Sequence, residues 1–312
     1  MFTVKSKAAA FSVASNTALI LLKIVAGLIT GSISLIAEAV HSMMDLAAAV
    51  IAFFSVRISD TPPDEEHPFG HGKWENISGV AEALLIFIAA GIIVYQAVRR
   101  LMNGETLETL EVGIGIMAVS IVVNVLVSRY LLKVSRKTDS IALEADARHL
   151  TTDVMTMAGV LLGLVIVQIG KITGHNINIF DPIAALLVAL LIIRTAYDLT
   201  RRSFGPLVDV RLPQQEEDEI TSCIKEHTSQ LAGFHEVRTR KSGSQRFIDF
   251  HLMLPQNTSI EESHKMCDHL EEDMKNRLPN SNVTIHVEPC EVECRQCLVS
   301  SCSLRIGVQF SQ

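Results

Sequence analysis

The chain has 312 residues, of which 48% are hydrophobic and only 20% are charged, and its formal net charge is −7. This apolar content excludes a disordered chain, and the acidic balance argues against a nucleic-acid partner, because phosphates attract a basic protein face. Six cysteines in a chain of this length do not make a disulfide scaffold.

Six apolar segments follow one another along the first two thirds of the chain. Each is about 20 residues or longer, which is the length that a helix needs to cross the hydrocarbon layer of a membrane. The segments therefore predict six transmembrane helices. Their ranges are 8–30, 33–57, 77–98, 110–133, 142–169 and 182–199.

The basic residues of the short loops predict the orientation of these helices. If the N-terminus is cytosolic, nine Lys and Arg residues lie on the inner side and three on the outer side. We therefore expect both termini in the cytosol and the protein in the cell (inner) membrane.

The polar last third of the chain alternates between helical and strand patterns. Residues 213–231 and 259–277 predict helices, and Ser259 with Glu262 forms a capping box at the start of the second. Three other segments alternate between apolar and polar residues, which is typical of strands. They are residues 234–241, 246–254 and 282–288.

The resulting order, αββαβ, indicates a small two-layer, ferredoxin-like α+β domain. The fold class is therefore an α-helical membrane protein with six transmembrane helices followed by this cytosolic domain. The predicted divisions are a transmembrane domain at 1–209, the cytosolic domain at 210–290 and a cysteine-containing tail at 291–312.

One nine-residue pattern occurs twice within the predicted spans. Residues 37–45 and 145–153 both read Ala-acid-Ala-x-His-x-x-x-Asp, in the second and the fifth span. In each copy the His and the Asp lie four residues apart, so they share one helix face. Two facing helices would then supply two imidazoles and two carboxylates, which suits a tetrahedral Zn²⁺ site. The predicted ligands are His41, Asp45, His149 and Asp153.

The alternative is that each His and Asp only makes a polar contact between helices. Two matching copies favour a metal site, because each ionisable group costs about 2–3 kcal/mol to insert into a membrane. Glu38 and Asp146 lie one turn away on the same faces. We interpret them as groups that orient the ligands or line a pore, and not as ligands.

These motifs together resemble the cation diffusion facilitator family of metal/proton antiporters. The resemblance covers nearly all of residues 1–290 and includes the six spans, both His-x-x-x-Asp pairs, the α+β domain and a His-Pro-Phe-Gly-His-Gly-Lys stretch at 67–73. It implies a homodimer that exports Zn²⁺ in exchange for protons, with His41, Asp45, His149 and Asp153 as the transport site. A His at position 41 also implies a preference for Zn²⁺ over Cd²⁺ or Mn²⁺.

The resemblance implies further metal sites outside the spans. Asp64, His67 and His71 match a loop site, although a solvated acidic loop is the alternative interpretation. Lys73 and Asp209 match an ion pair between the two domains. A cytosolic site shared across the dimer is also implied, with Glu288 in place of the family's usual Asp. Its matching residues are His235, His251, His264, His286 and Glu288.

The tail contains four cysteines within a short stretch, including a C-x-x-C spacing that is common in zinc sites. In a reducing compartment they favour metal thiolates over disulfides, and free thiols are the alternative. These residues are Cys290, Cys294, Cys297 and Cys302.

His227 and His269 lie on acidic helices, and we expect them to be solvated.

The leading functional hypothesis is a Zn²⁺/H⁺ antiporter that lowers cytosolic metal and needs no organic cofactor. An exporter of Fe²⁺, Co²⁺ or Mn²⁺ is the first alternative, because imidazole binds several of these ions. A membrane metal sensor and an intramembrane metalloenzyme are further alternatives. The absence of a His-Glu-x-x-His motif argues against the enzyme.

Overall fold

The computed structural model describes residues 3–30, 33–103, 111–173, 180–227 and 231–290. The chain divides into two compact units, Met1–Leu207 and Val208–Gln312. The first unit is helical and the second contains a three-stranded sheet. A long helical region followed by a small α+β domain is the fold class that the sequence predicts.

The described residues of the first unit form six long helices. They are α1 (Val4–Thr30), α2 (Ile33–Ser59), α3 (Lys73–Asn103), α4 (Glu111–Thr138), α5 (Ile141–Thr173) and α6 (Phe180–Phe204). Several extend beyond the predicted apolar segments, because polar residues at their ends continue the helical hydrogen bonding. Among the described residues, α1, α3, α4 and α6 are long and apolar enough to cross a membrane. For α2 and α5, which carry the repeated His and Asp residues, the span stays a prediction.

Helix α5 lies at the centre of this unit. It shares one apolar cluster with α1, α2 and α4, and a second with α3 and α6. Ala142, Ala145 and Ala147 are fully buried at these contacts, and small residues let membrane helices approach closely. A Cβ atom at Gly159 would lie 3.1 Å from the side chain of Val188, so α5 and α6 pack closely at this position.

Large apolar side chains cover the outward faces of several helices. This pattern fits helices whose outer surfaces contact lipid and not water. Examples are Leu28 and Ile29 of α1, Val122 and Leu126 of α4, and Leu187 and Leu190 of α6.

The second unit has the predicted order αββαβ. Its elements are α7 (Gln214–Glu226), β1 (Gly233–Ser242), β2 (Gln245–Leu254), α8 (Ile260–Arg277) and β3 (Ser281–Pro289). The sheet order is β1-β2-β3, with β1 and β2 antiparallel and β2 and β3 parallel. The predicted capping box at Ser259 and Glu262 is confirmed.

Helices α7 and α8 pack on one face of this sheet. Phe250 and Leu252 of β2 point into the core, where they meet Ile224 of α7 and Leu270 of α8. Because side chains alternate along a strand, His251 points to the opposite face, which the helices leave uncovered. The two faces of the sheet therefore offer separate places for polar side chains.

Candidate functional site

Three of the four predicted transport-site side chains meet between α2 and α5. The Nε2 atom of His149 lies 3.3 Å from an oxygen of Asp45 and 4.0 Å from an oxygen of Asp153. One ligand atom from each residue lies within 4.8 Å of the other two. We call Asp45, His149 and Asp153 the span cluster. His41 belongs to α2, but its side chain lies outside the described part of the structure.

The spacing of the span cluster suits a small divalent cation. Two ligand atoms of a tetrahedral zinc ion lie about 3.4 Å apart, given bonds of about 2.1 Å. The side chains of His149, Asp45 and Asp153 are 7%, 15% and 19% exposed, so the group is largely withdrawn from solvent. A carboxylate held this far from water needs a cation or a proton beside it, and an imidazole can supply only one positive charge.

More ionisable side chains are buried around the span cluster. Asp146 of α5, which the sequence analysis interpreted as a group that orients ligands or lines a pore, and Glu82 of α3 are fully buried. Lys23 of α1 donates a hydrogen bond of 2.7 Å to Ser42 of α2, so it makes an interhelical contact. Such a concentration of charge inside helices that are otherwise apolar indicates a functional site.

A buried carboxylate also joins the ends of four helices near the loop that precedes α3. Glu75 of α3 is fully buried and accepts hydrogen bonds from Lys5 of α1 at 2.9 Å and Ser59 of α2 at 2.9 Å. Its other oxygen accepts a bond from Ser140, which directly precedes α5. Lys5 also pairs with Asp60 at 2.6 Å. We call these residues the Glu75 cluster; nothing in the sequence pattern indicated it.

The three predicted loop residues also lie together. His67 and His71 each place a ring nitrogen near Asp64, at 3.4 Å and 3.3 Å, and the two rings are 4.5 Å apart. The backbone N–H of His67 donates to Asp64, and this bond lowers the pKa of that carboxyl. Gly70 has a φ of +80°, which lies outside the range of a right-handed helix, so the loop turns at this residue. We call Asp64, His67 and His71 the loop cluster.

Residues of all three strands meet on the uncovered face of the sheet. Glu288 of β3 contacts His235 of β1 at 3.0 Å and His251 of β2 at 2.8 Å. Hydrogen bonds from His235 and then from His251 lower the pKa of Glu288. His286 lies 3.5 Å from Glu288. We call His235, His251 and Glu288 the sheet cluster; the role of Glu288 as a metal ligand stays a prediction.

The other predicted site residues lie away from these clusters or outside the described residues. His264 is on α8, on the helical side of the sheet, where it pairs with Asp268 at 3.0 Å. Within one chain it is therefore apart from the sheet cluster. Cys290 is a buried thiol, whereas Cys294, Cys297 and Cys302 lie outside the described residues. The Lys73–Asp209 pair would link residues of two different units, so it stays a prediction.

The expectation that His227 and His269 are both solvated is wrong for His227. Its side chain is only 14% exposed and contacts Asp273 of α8 at 3.2 Å. The environment of His227 depends on how α7 packs against α8, and the helical pattern of α7 alone does not reveal this packing.

Comparison with known proteins places the chain in a family. The family model of the cation efflux transmembrane domain matches residues 9–208, and that of the cation efflux protein cytoplasmic domain matches residues 212–290. Uncharacterized transporter sll1263 of Synechocystis sp. is 36% identical over 283 residues, covering 91% of this chain and 90% of the relative. Cation-efflux pump FieF of Salmonella paratyphi A is 33% identical over 291 residues, covering 93% of this chain and 95% of the relative.

Among solved structures, the metal-bound C-terminal domain of the CzcD transporter from Thermotoga maritima is 24% identical. The match covers 25% of this chain and 94% of the CzcD domain, with a TM-score of 0.24. The helical membrane unit, the α+β unit and the two family matches together define a cation efflux transporter and not an enzyme. The chain belongs to the cation diffusion facilitator family, as its sequence motifs indicate.

Proposed function

We propose that the protein exports Zn²⁺ from the cytosol in exchange for H⁺ and that Asp45, His149 and Asp153, together with His41, bind the transported ion. The observation that carries the proposal is the span cluster itself. Two acidic groups and an imidazole from two helices converge in the buried part of a cation efflux domain. Their separations of 3.3 Å and 4.0 Å bracket the spacing that a tetrahedral ion requires.

The ligand types favour Zn²⁺ as the cargo. A set of imidazoles and carboxylates is poorly suited to Cu(I), which prefers sulfur, and to Mg²⁺ and Ca²⁺, which prefer oxygen alone. Export of Fe²⁺, Co²⁺ or Mn²⁺ is the second candidate function, because the same ligands bind those ions too. A metal panel in one transport assay separates the two candidates.

Proton exchange follows from the chemistry of the ligands. Zn²⁺ requires a neutral imidazole and ionised carboxylates, so protons compete with the metal for the same atoms. Histidine titrates near neutral pH, which lets a modest pH difference drive the exchange. In this mechanism the helices alternate between inward-open and outward-open forms around the fixed span cluster.

Assembly and orientation belong to the same proposal. The match of residues 212–290 to the cytoplasmic domain of cation efflux proteins supports a homodimer. Basic residues in the last turns of α4 and α6 support a cytosolic position for both ends of the chain in an inner membrane. They are Arg136, Lys137, Arg201 and Arg202.

The remaining predictions complete the proposal. The loop cluster and the sheet cluster with His264 and His286 are proposed as further metal sites, and Lys73 and Asp209 as the link between domains. The division at 1–209, 210–290 and 291–312, and the cysteine tail as a metal-binding appendage, also stay predictions. None of these is needed for the span cluster to bind its ion.

Flux into proteoliposomes tests the proposal. Purified protein is reconstituted, and uptake of Zn²⁺, Cd²⁺, Fe²⁺, Co²⁺ and Mn²⁺ is followed with and without an imposed pH gradient. We expect Zn²⁺ to be carried best and its uptake to follow the gradient. Asp153→Ala should lower Zn²⁺ flux by about 100-fold or more, because loss of even an outer-shell partner of a metal weakens a site by about 10–100-fold.

Asp198→Ala provides a matched control. Asp198 is an exposed carboxylate on α6 that belongs to none of the metal-binding groups found among the described residues, so its loss should leave the flux unchanged. Zn²⁺ flux that ignored the pH gradient would contradict the antiport mechanism. Faster transport of Fe²⁺, Co²⁺ or Mn²⁺ than of Zn²⁺ would favour the second candidate function.

A further inference from the structure

A fourth histidine–carboxylate group lies between the two helices of the α+β unit. His227 follows α7 as its C-cap, whereas His269 and Asp273 lie one turn apart on α8. An oxygen of Asp273 is 3.2 Å from Nε2 of His227 and 3.9 Å from Nε2 of His269. The two imidazole rings are 5.1 Å apart, nearly perpendicular to each other. We call His227, His269 and Asp273 the helix cluster.

One hydrogen bond of His227 determines the tautomer of its ring, and so whether the nitrogen that faces Asp273 carries a proton or a lone pair. Nδ1 of His227 lies 2.9 Å from the backbone oxygen of Cys223. A carbonyl oxygen only accepts hydrogen bonds, so Nδ1 carries the proton and donates it. In the neutral ring, Nε2 then points a lone pair at a carboxylate oxygen only 3.2 Å away. Two lone pairs repel each other at this distance unless a cation or a second proton lies between them.

The same arrangement is the one in which proteins hold metal-binding histidines. A ligating imidazole usually donates its other N–H to a backbone carbonyl or a carboxylate, which orients the ring and selects the tautomer. The contact with Cys223 meets this requirement without help from solvent. The distances of 3.2 Å and 3.9 Å also bracket the spacing of about 3.4 Å between two ligands of a tetrahedral zinc ion.

The surroundings of the helix cluster favour a cation. His227 lies at the C-terminal end of α7, where the helix dipole attracts positive charge. Arg277 of α8 pairs with Glu226 at 3.0 Å, and this contact holds the last turn of α7 against α8 beside His227. The side chain of His269 is 62% exposed, so solvent can reach the group and supply a fourth ligand.

We propose that His227, His269 and Asp273 form a divalent-metal site of the zinc type that joins the C-terminal end of α7 to α8. Two imidazoles and one carboxylate suit Zn²⁺ or Co²⁺, with water in the fourth position. The site is distinct from the sheet cluster, because it lies on the helical layer and the sheet cluster lies on the uncovered face of the sheet. It requires neither transport nor any residue of the first unit.

Zinc binding to the full-length protein in detergent tests the proposal. The protein is stripped with a chelator, dialysed against Zn²⁺, and the bound metal is counted by mass spectrometry for wild type, His269→Ala, Asp273→Asn and Glu271→Gln. Glu271 is a carboxylate of α8 that pairs with Lys275 at 3.1 Å, so Glu271→Gln is the matched control. All other sites are present in every variant, so their zinc cancels in the comparison.

We expect His269→Ala and Asp273→Asn each to lose one zinc per chain, and Glu271→Gln to bind as many as wild type. Hydrogen exchange provides a second readout, because zinc should slow exchange in the last turn of α7 and around 269–273 in wild type and Glu271→Gln only. Unchanged melting of His269→Ala in metal-free buffer shows that the exposed ring is not needed for folding. Equal zinc counts in all four proteins, or protection by zinc that survives both substitutions, would overturn the proposal.

Discussion

The span cluster and the sheet cluster use the same ligand types in opposite surroundings. His149, the central residue of the span cluster, is 7% exposed, whereas His251 of the sheet cluster is 29% exposed and lies on a face that α7 and α8 leave uncovered. Solvent therefore reaches the sheet cluster more easily than the span cluster. The comparison indicates that charge in the span cluster is retained for its function, since burial makes it costly when the site is empty.

The largest difference between the two clusters should appear in transport. We expect His149→Ala to reduce cation flux by about 100-fold or more, because it removes a proposed ligand from a buried site. His251→Ala should reduce flux far less, because it changes what the α+β unit binds but leaves the span cluster intact. Flux of both variants is measured in proteoliposomes. Equal losses would mean that the sheet cluster is as necessary for transport as the span cluster.

Burial should also decide how much an ion pair contributes to the stability of the folded protein. Lys5→Ala leaves Glu75 fully buried without its ammonium partner, which should cost about 3–5 kcal/mol of unfolding free energy. Lys265→Ala, which breaks an exposed pair with Glu261, should cost no more than about 0.5 kcal/mol. Denaturant unfolding in detergent, followed by circular dichroism, measures both.

Replacing both partners provides the control for this prediction. In the double variant Lys5→Met/Glu75→Gln the buried carboxylate is gone and only Asp60, whose side chain is 19% exposed, loses its ammonium partner, so most of the lost stability should return. A loss for Lys5→Ala as small as that for Lys265→Ala would show that water reaches Glu75 and that the Glu75 cluster is not a buried pair.

The smallest effect concerns pH and the sheet cluster. Hydrogen bonds from His235 and His251 hold the pKa of Glu288 below its ordinary value in the folded protein. The stabilisation is therefore fully present above the ordinary carboxyl range and is lost as pH falls through the lower folded value. Hydrogen exchange of β3 from about pH 7 to about pH 3 measures it. In Glu288→Gln the loss of β3 stability at low pH should be absent. An acid dependence of Glu288→Gln equal to that of wild type would refute the role of Glu288.

Much of the fold could be predicted, because its signals are local. The lengths of the apolar runs indicate helices, alternation indicates strands, and Ser259 with Glu262 predicts the start of α8. The separation of four residues between His149 and Asp153 also predicts that both lie on one face of α5. The Glu75 cluster and the surroundings of His227 could not be predicted, because they depend on contacts between residues far apart in the chain, such as Lys5 with Glu75.

The central claim is that Asp45 and Asp153, from two helices, bind one ion together. A double-mutant cycle of zinc flux with Asp45→Asn, Asp153→Asn and the double variant tests it most directly. If both carboxylates serve one ion, the double variant should transport no worse than the weaker single variant, since ligands that act as a unit are not additive. If instead the two losses multiply, towards roughly 10,000-fold for two independent losses of about 100-fold, the carboxylates act separately and the shared site is contradicted.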